Sequence, residues 1–86
     1  MYEVVVTKPA QKDLKKIDQR YQIAIKNRLV ELKSNPYLGK PLRDDLKGRY
    51  SLREGVYRII YRIRKKKLLI LIIAISHRQG VYKKLK

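Results

Sequence analysis

Leu68-Leu69-Ile70-Leu71-Ile72-Ile73-Ala74-Ile75 is the stretch that decides the fold. It is apolar at every position, so both of its faces need cover. It is far shorter than the ~20 residues a membrane helix requires. A strand apolar on both faces belongs in the interior of a sheet. Immediately upstream, Arg49–Arg53 and Val56–Arg64 read as two further strands, so three strands follow one another without an intervening helix. Glu54-Gly55 is expected to make the first turn and Lys65-Lys66 the second. That first turn would pair Leu52 with Tyr57 and Tyr50 with Ile59, so that apolar meets apolar on one face. Tyr50, Tyr57 and Tyr61 go to the core. The opposite face collects Arg49, Ser51, Arg53, Arg58 and Arg62, with Arg58 across from Ser51.

The amino-terminal half supplies the cover. Tyr2-Glu3-Val4-Val5-Val6 reads as a strand rich in β-branched residues. Thr7 is placed to cap the next helix, with Pro9 tolerated in its first turn. Ala10, Leu14, Ile17 and Tyr21 then recur at helical spacing. A second helix runs from about Gln19 to Lys33 on a stripe of Ile25, Leu29 and Leu32, and Asn35-Pro36 ends it. Residues 36–48 read as a loop anchored by Leu38, Leu42 and Leu46. The order β-α-α-β-β-β predicts an α+β fold: a helical hairpin packed on one face of a mostly antiparallel four-stranded sheet. The 86 residues allow one domain, 1–86.

Charge narrows the partners. Lys and Arg total 23 against 7 acids, a formal charge of +16 that runs through the whole chain. Such a surface attracts polyanions, because neutralising phosphates releases condensed counterions. Nucleic acid is favoured over a membrane surface, since the helices carry their charge on ordinary solvent faces. An acidic protein partner that masks the charge is compatible with this. No cysteine is present, which excludes disulfides and thiolate metal sites and fits the cytoplasm. The start, Met1-Tyr2-Glu3-Val4, has no cationic segment followed by an apolar run, so no signal peptide is expected. One histidine and an isolated Asp44-Asp45 pair form no ligand set, so neither metal nor other cofactor is expected. Glycine-rich phosphate loops and serine-type triads are also missing.

The candidate site is a cluster of cations and aromatics. Arg58 lies on the face away from the helices. His77 and Arg78 follow the end of the interior strand, and Tyr82 comes four residues later. Cleavage of RNA at a 2′-hydroxyl needs a proton acceptor, cations for the charge on phosphorus, and a donor for the leaving 5′-oxygen. Arginine forks match phosphate oxygens, and a tyrosine can stack on a splayed base. Plainer readings stand beside these. Arg58 could pair with a carboxylate, His77 could be structural, Tyr82 could pack in the core, and Arg64-Lys65-Lys66-Lys67 is most simply a solvated turn.

Several motifs carry a family resemblance that covers nearly the whole chain. They are the Lys8-Pro9-Ala10 helix start, the Asn35-Pro36 exit with Gly39 and Pro41-Leu42, the strand Tyr57-Arg58-Ile59-Ile60-Tyr61, and the ending His77-Arg78-Gln79-Gly80-Val81-Tyr82. Together they resemble the RelE/ParE superfamily of type II toxin–antitoxin toxins. The resemblance implies a RelE-like fold and metal-independent cutting of messenger RNA in the ribosomal A site. It implies that Arg58 holds the scissile phosphate, that Arg78 is a second catalytic arginine, and that Tyr82 stacks on or orients the nucleotide. Arg49 and Ser51 stand where RelE-like enzymes place lysines. Arginine is a poor base because it keeps its proton, so the base is left open between His77 and Lys47. Lys47, Ser51, Arg53 and Arg62 are read as RNA-binding. A small acidic antitoxin is the implied partner. ParE-like relatives, which inhibit DNA gyrase without catalysis, are the alternative on the same scaffold.

Overall fold

The computed structural model describes residues 1–77. Strand β1 (Glu3–Val6) leads into helices α1 (Lys8–Lys15) and α2 (Gln19–Ser34). Four strands follow: β2 (Lys40–Pro41), β3 (Arg49–Glu54), β4 (Tyr57–Arg64) and β5 (Leu69–His77). The sheet order is β1-β5-β4-β3-β2. β1 runs parallel to β5, and every other pairing is antiparallel. The all-apolar strand is therefore interior, as its composition requires. The sheet has five strands rather than four, because the segment read as a loop contains β2, a two-residue edge strand. Pro41 is tolerated there since an edge strand has an unpaired side.

The hairpin register also differs from expectation. Leu52 pairs with Ile59 and Tyr50 with Tyr61, because the turn is Gly55-Val56 rather than Glu54-Gly55. Gly55 has φ +60, at the first central position where a type II′ turn favours glycine. Moving a turn by one residue slips the pairing by two, so every side chain keeps its face. The partners do change: Arg58 stands opposite Arg53, not Ser51. Leu68 is not part of β5. Its φ of +52 caps the short 3-10 turn Lys65–Lys67, and a left-handed residue does not continue a strand.

The helices cover one face. Ala10, Ile17, Ile25, Leu29 and Leu32 are buried against Leu52, Ile59, Tyr61, Ile70, Ile72 and Ile75. Burying side chains of this size stabilises by about 1.5–3 kcal/mol each. Tyr50 and Tyr57 are half-buried at the margin of this core and Tyr61 is fully buried. Tyr21 belongs to α2 and stays exposed, its ring 5.5 Å from that of Tyr57. Thr7 is the N-cap residue of α1, as expected, but its side chain makes no capping bond. Its hydroxyl donates to the Ile72 carbonyl at 2.7 Å, tying the end of β1 to β5. Asp18 does cap α2, accepting from the Arg20 amide at 2.9 Å. No helix among the described residues is long and apolar enough to cross a membrane.

Candidate nucleic-acid interface

Alternation along β3 and β4 delivers Arg49, Ser51, Arg53, Arg58 and Arg62 to the face away from the helices. In register, Arg53 opposes Arg58 and Arg49 opposes Arg62. Side chains directly opposite in antiparallel strands lie about 4.5–5.5 Å apart at Cβ, and like charges there are unfavourable. The sheet tolerates this twice. No carboxylate on β3 or β4 shares the face: Glu54 pairs with Tyr57 on the helix side and meets Arg28 Nε at 3.3 Å. Between the two arginine pairs, Ile60 and Ala74 are buried beneath Leu42 and Ile73.

One end of this face opens into a cavity of about 430 Å³, lined among others by Arg28, Lys40, Ser51, Arg53 and Arg58. Arg58 Nη1 donates to Ser51 Oγ at a long 3.4 Å. The Nε atoms of Arg58 and Arg49 are buried with no hydrogen-bond partner among the described residues. Leaving a buried donor unsatisfied costs about 1–3 kcal/mol, more for a charged group. An anionic oxygen bound by the guanidinium forks at this face would offset the repulsion between the facing arginines.

The wall of the cavity is set by a buried tyrosine. Tyr61 Oη donates to the Pro36 carbonyl at 2.8 Å and accepts from the Gly39 amide at 2.9 Å. Burial pushes the Tyr61 hydroxyl above its ordinary pKa, and the Gly39 N–H pulls the other way. A Cβ on Gly39 would lie 2.8 Å from both the Ser51 carbonyl oxygen and Tyr61 Oη. Only glycine fits there, and its close approach lays the segment onto β3 so that Lys40 pairs with Ser51.

The sequence-derived site residues thus divide. Arg58, Ser51 and Arg53 share the cavity, while Arg49 and Arg62 lie farther along the same face. Lys47 is exposed in the turn before β3 and is not on the sheet. His77 is not beside Arg58. It pairs with Tyr57, their rings 6.2 Å apart, and lines a separate hollow of about 190 Å³ with Asp13, Lys16 and Ile17. Ser76 is the β5 residue opposite Arg58. Arg78 and Tyr82 lie outside the described residues. Arg28 and Lys40 escaped the sequence reading. Arg28 flanks the buried stripe of α2, and Lys40 sat in an apparent loop with no face to assign.

Residues 4–82 match the sequence model of the ParE toxin of type II toxin–antitoxin systems. Over 85 residues the chain is 35% identical to the toxin RelG of Mycobacterium tuberculosis, covering 96% of this chain and 98% of that one. The chain belongs to the RelE/ParE superfamily of type II toxins. A second member of that superfamily, the toxin RelE of the same organism, is 37% identical over 84 residues, covering 95% of this chain and 87% of its own. Among solved RelE/ParE structures, the toxin–antitoxin complex RelBE2 of M. tuberculosis superposes with a TM-score of 0.85 at 37% identity. The match covers 90% of this chain and 98% of that chain. The two-helix, mixed-sheet architecture described above is therefore the superfamily's own.

Proposed function

We propose that this toxin is a ribosome-dependent endoribonuclease that cuts messenger RNA in the A site by attack of a 2′-hydroxyl on the adjacent phosphate. The observation that carries this reading is the paired-arginine face, with buried, unpartnered Nε donors on Arg49 and Arg58. Arg58 is the residue we assign to the scissile phosphate, where its fork can hold two oxygens. Arg49, Arg53 and Arg62 follow the chain on either side. Arg78 and Tyr82 are assigned as the second phosphate ligand and the nucleotide-stacking residue on the strength of the sequence motif. Charge neutralisation comes from guanidinium groups, and the nucleophile belongs to the RNA, so the chemistry does not call for a metal ion. Toxicity then requires restraint in the cytoplasm. We propose a small acidic antitoxin that folds as it wraps this +16 surface, in keeping with the toxin–antitoxin complex of the M. tuberculosis relative.

The test is induction of the toxin followed by primer-extension mapping of messages. Cuts within codons, dependent on translation, are expected. A second reading is favoured by the ParE description of the matching family: inhibition of DNA gyrase without catalysis. Intact messages with blocked supercoiling in a purified gyrase assay would establish that reading in place of the first.

A further inference from the structure

A second basic region lies beyond the arginine face. Arg58, Arg62 and Arg64 alternate along β4, so they share one side of the sheet, and Arg62 and Arg64 are exposed. At about 3.4 Å per residue, Arg64 stands roughly 20 Å along the strand from Arg58. β4 then runs into the short 3-10 turn Lys65–Lys67, whose three lysines are all exposed. Ile63, Arg64 and these lysines line a hollow of about 430 Å³. No carboxylate answers them, because the ion pairs among the described residues belong to Arg20 and Arg28. Four adjoining cations without a counter-ion repel one another, and an anion seated among them offsets that repulsion.

An aromatic ring stands beside the hollow. Lys65 Nζ lies 5.6 Å from the centroid of the Tyr37 ring, a cation–π contact. Tyr37 is 47% exposed, yet its place is fixed. Tyr61 Oη bonds the Pro36 carbonyl and the Gly39 amide on either side of it. Its ring also meets that of Tyr50 edge-on at 5.9 Å, and Tyr50 stacks on Tyr61 at 5.4 Å. A ring held in this way loses little freedom when a base stacks on it. The pair Arg20 and Tyr21 is different, since Arg20 already meets Asp18 at 3.3 Å. We infer that Tyr37 and the Lys65–Lys67 turn form a second RNA site for one unpaired nucleotide, with the base stacked on Tyr37 and the phosphate in the hollow. Arg62 and Arg64 make it continuous with the cleavage face, so the strand it holds is a flanking stretch of the cleaved message. That identification of the strand rests on the nuclease reading above, whereas the site itself is testable without cleavage.

The experiment measures binding of the full-length toxin to a fluorescent oligouridylate by anisotropy, over a range of salt. Tyr37→Ala should weaken binding by roughly 5–150-fold, the effect of losing one stacked base, with the salt dependence unchanged. Tyr37→Phe should bind within a few-fold of wild type. The triple variant Lys65→Gln/Lys66→Gln/Lys67→Gln should bind more weakly, with a salt slope lower by at least ~0.7, the share of one phosphate. Two controls accompany these. Tyr21→Ala should bind like wild type. Lys8→Gln/Lys12→Gln/Lys15→Gln on α1 removes the same charge and should leave the slope nearly unchanged. All these side chains are exposed, so urea unfolding should show every variant folded. Tyr37→Ala binding as tightly as wild type would overturn the site. So would a loss that phenylalanine does not restore, a loss that Tyr21→Ala reproduces, or equal losses in the two lysine triples. On programmed ribosomes Tyr37→Ala should raise KM for the message while kcat stays within a few-fold, and an unchanged KM would overturn the assignment of the strand. Should wild type leave messages uncut while the binding results hold, the nuclease reading fails and the RNA site stands.

Discussion

The two faces of the sheet obey opposite rules although they are built from alternate residues of the same strands. On the helix side, Ile59 is flanked by Leu52 and Ile75 and fully buried. The buried tyrosine hydroxyl on that side has both a donor and an acceptor within 2.9 Å. On the other side, the next residue, Arg58, faces another arginine, and its Nε is buried without a partner among the described residues. One face is arranged for folding. The other is held in an unfavourable arrangement that the first must support, which is the expected signature of a site where local rules give way to function.

Ile59 and Arg58 make the sharpest test of that contrast. Ile59→Ala should destabilise the fold by about 2–5 kcal/mol through lost burial and a cavity, read by urea unfolding. Arg58→Ala should leave stability unchanged or slightly higher while cleavage falls by ~10²–10³-fold, the scale of losing one preorganised donor. Arg58→Lys should recover only part of that loss, because a point charge does not reproduce the fork. Were Arg58→Ala to unfold the protein, the two faces would not be separable.

Tyr61→Phe sits between the two faces. It removes the acceptor for Gly39 and the donor to Pro36, so about 1–3 kcal/mol of stability should be lost. The Lys40 segment should loosen with it, seen as faster amide exchange at Gly39. The Tyr61 hydroxyl also predicts a pH effect. Its folded pKa is raised by burial above the ordinary tyrosine value of about 10. Its contribution is therefore complete below about pH 10 and lost as pH climbs through the folded value. That alkaline loss should be smaller in Tyr61→Phe, measured as thermal midpoint against pH.

Smaller effects should appear at the far end of the arginine face. Arg62→Thr removes the like charge opposite Arg49 and should raise stability by about 0.2–1 kcal/mol at low salt, with the gain shrinking as salt screens the pair. RNA affinity should fall and its salt slope should drop by about 1. The least effect is expected from His77→Gln. Because His77 lines the Asp13 hollow rather than the Arg58 cavity, cleavage should stay within a few-fold of wild type. A large loss there would mean that the two sides of the sheet cooperate in the chemistry.

Much of this was legible beforehand because periodicity is a local property. The helix stripe Ile25, Leu29 and Leu32, the interior position of β5 and the separation of arginines from apolar residues on β3 and β4 all follow from spacing along the chain. Parity survives a slipped turn, so Arg49, Ser51, Arg53, Arg58 and Arg62 were assigned their common face even with the wrong partners. Tertiary structure alone decided three things. The cross-strand partners depend on where the chain turns, and moving the turn by one residue made Arg53, not Ser51, the neighbour of Arg58. The face taken by His77 depends on how β5 is registered against β4, including an irregularity at Ile60/Tyr61. A strand apolar on both sides carries no alternation from which to read it. Lys40 lies on a two-residue strand, too short for any period. It is brought to the cavity by the Gly39–Tyr61 contact, 22 residues apart in the chain, and a contact between residues so distant has no trace in local spacing.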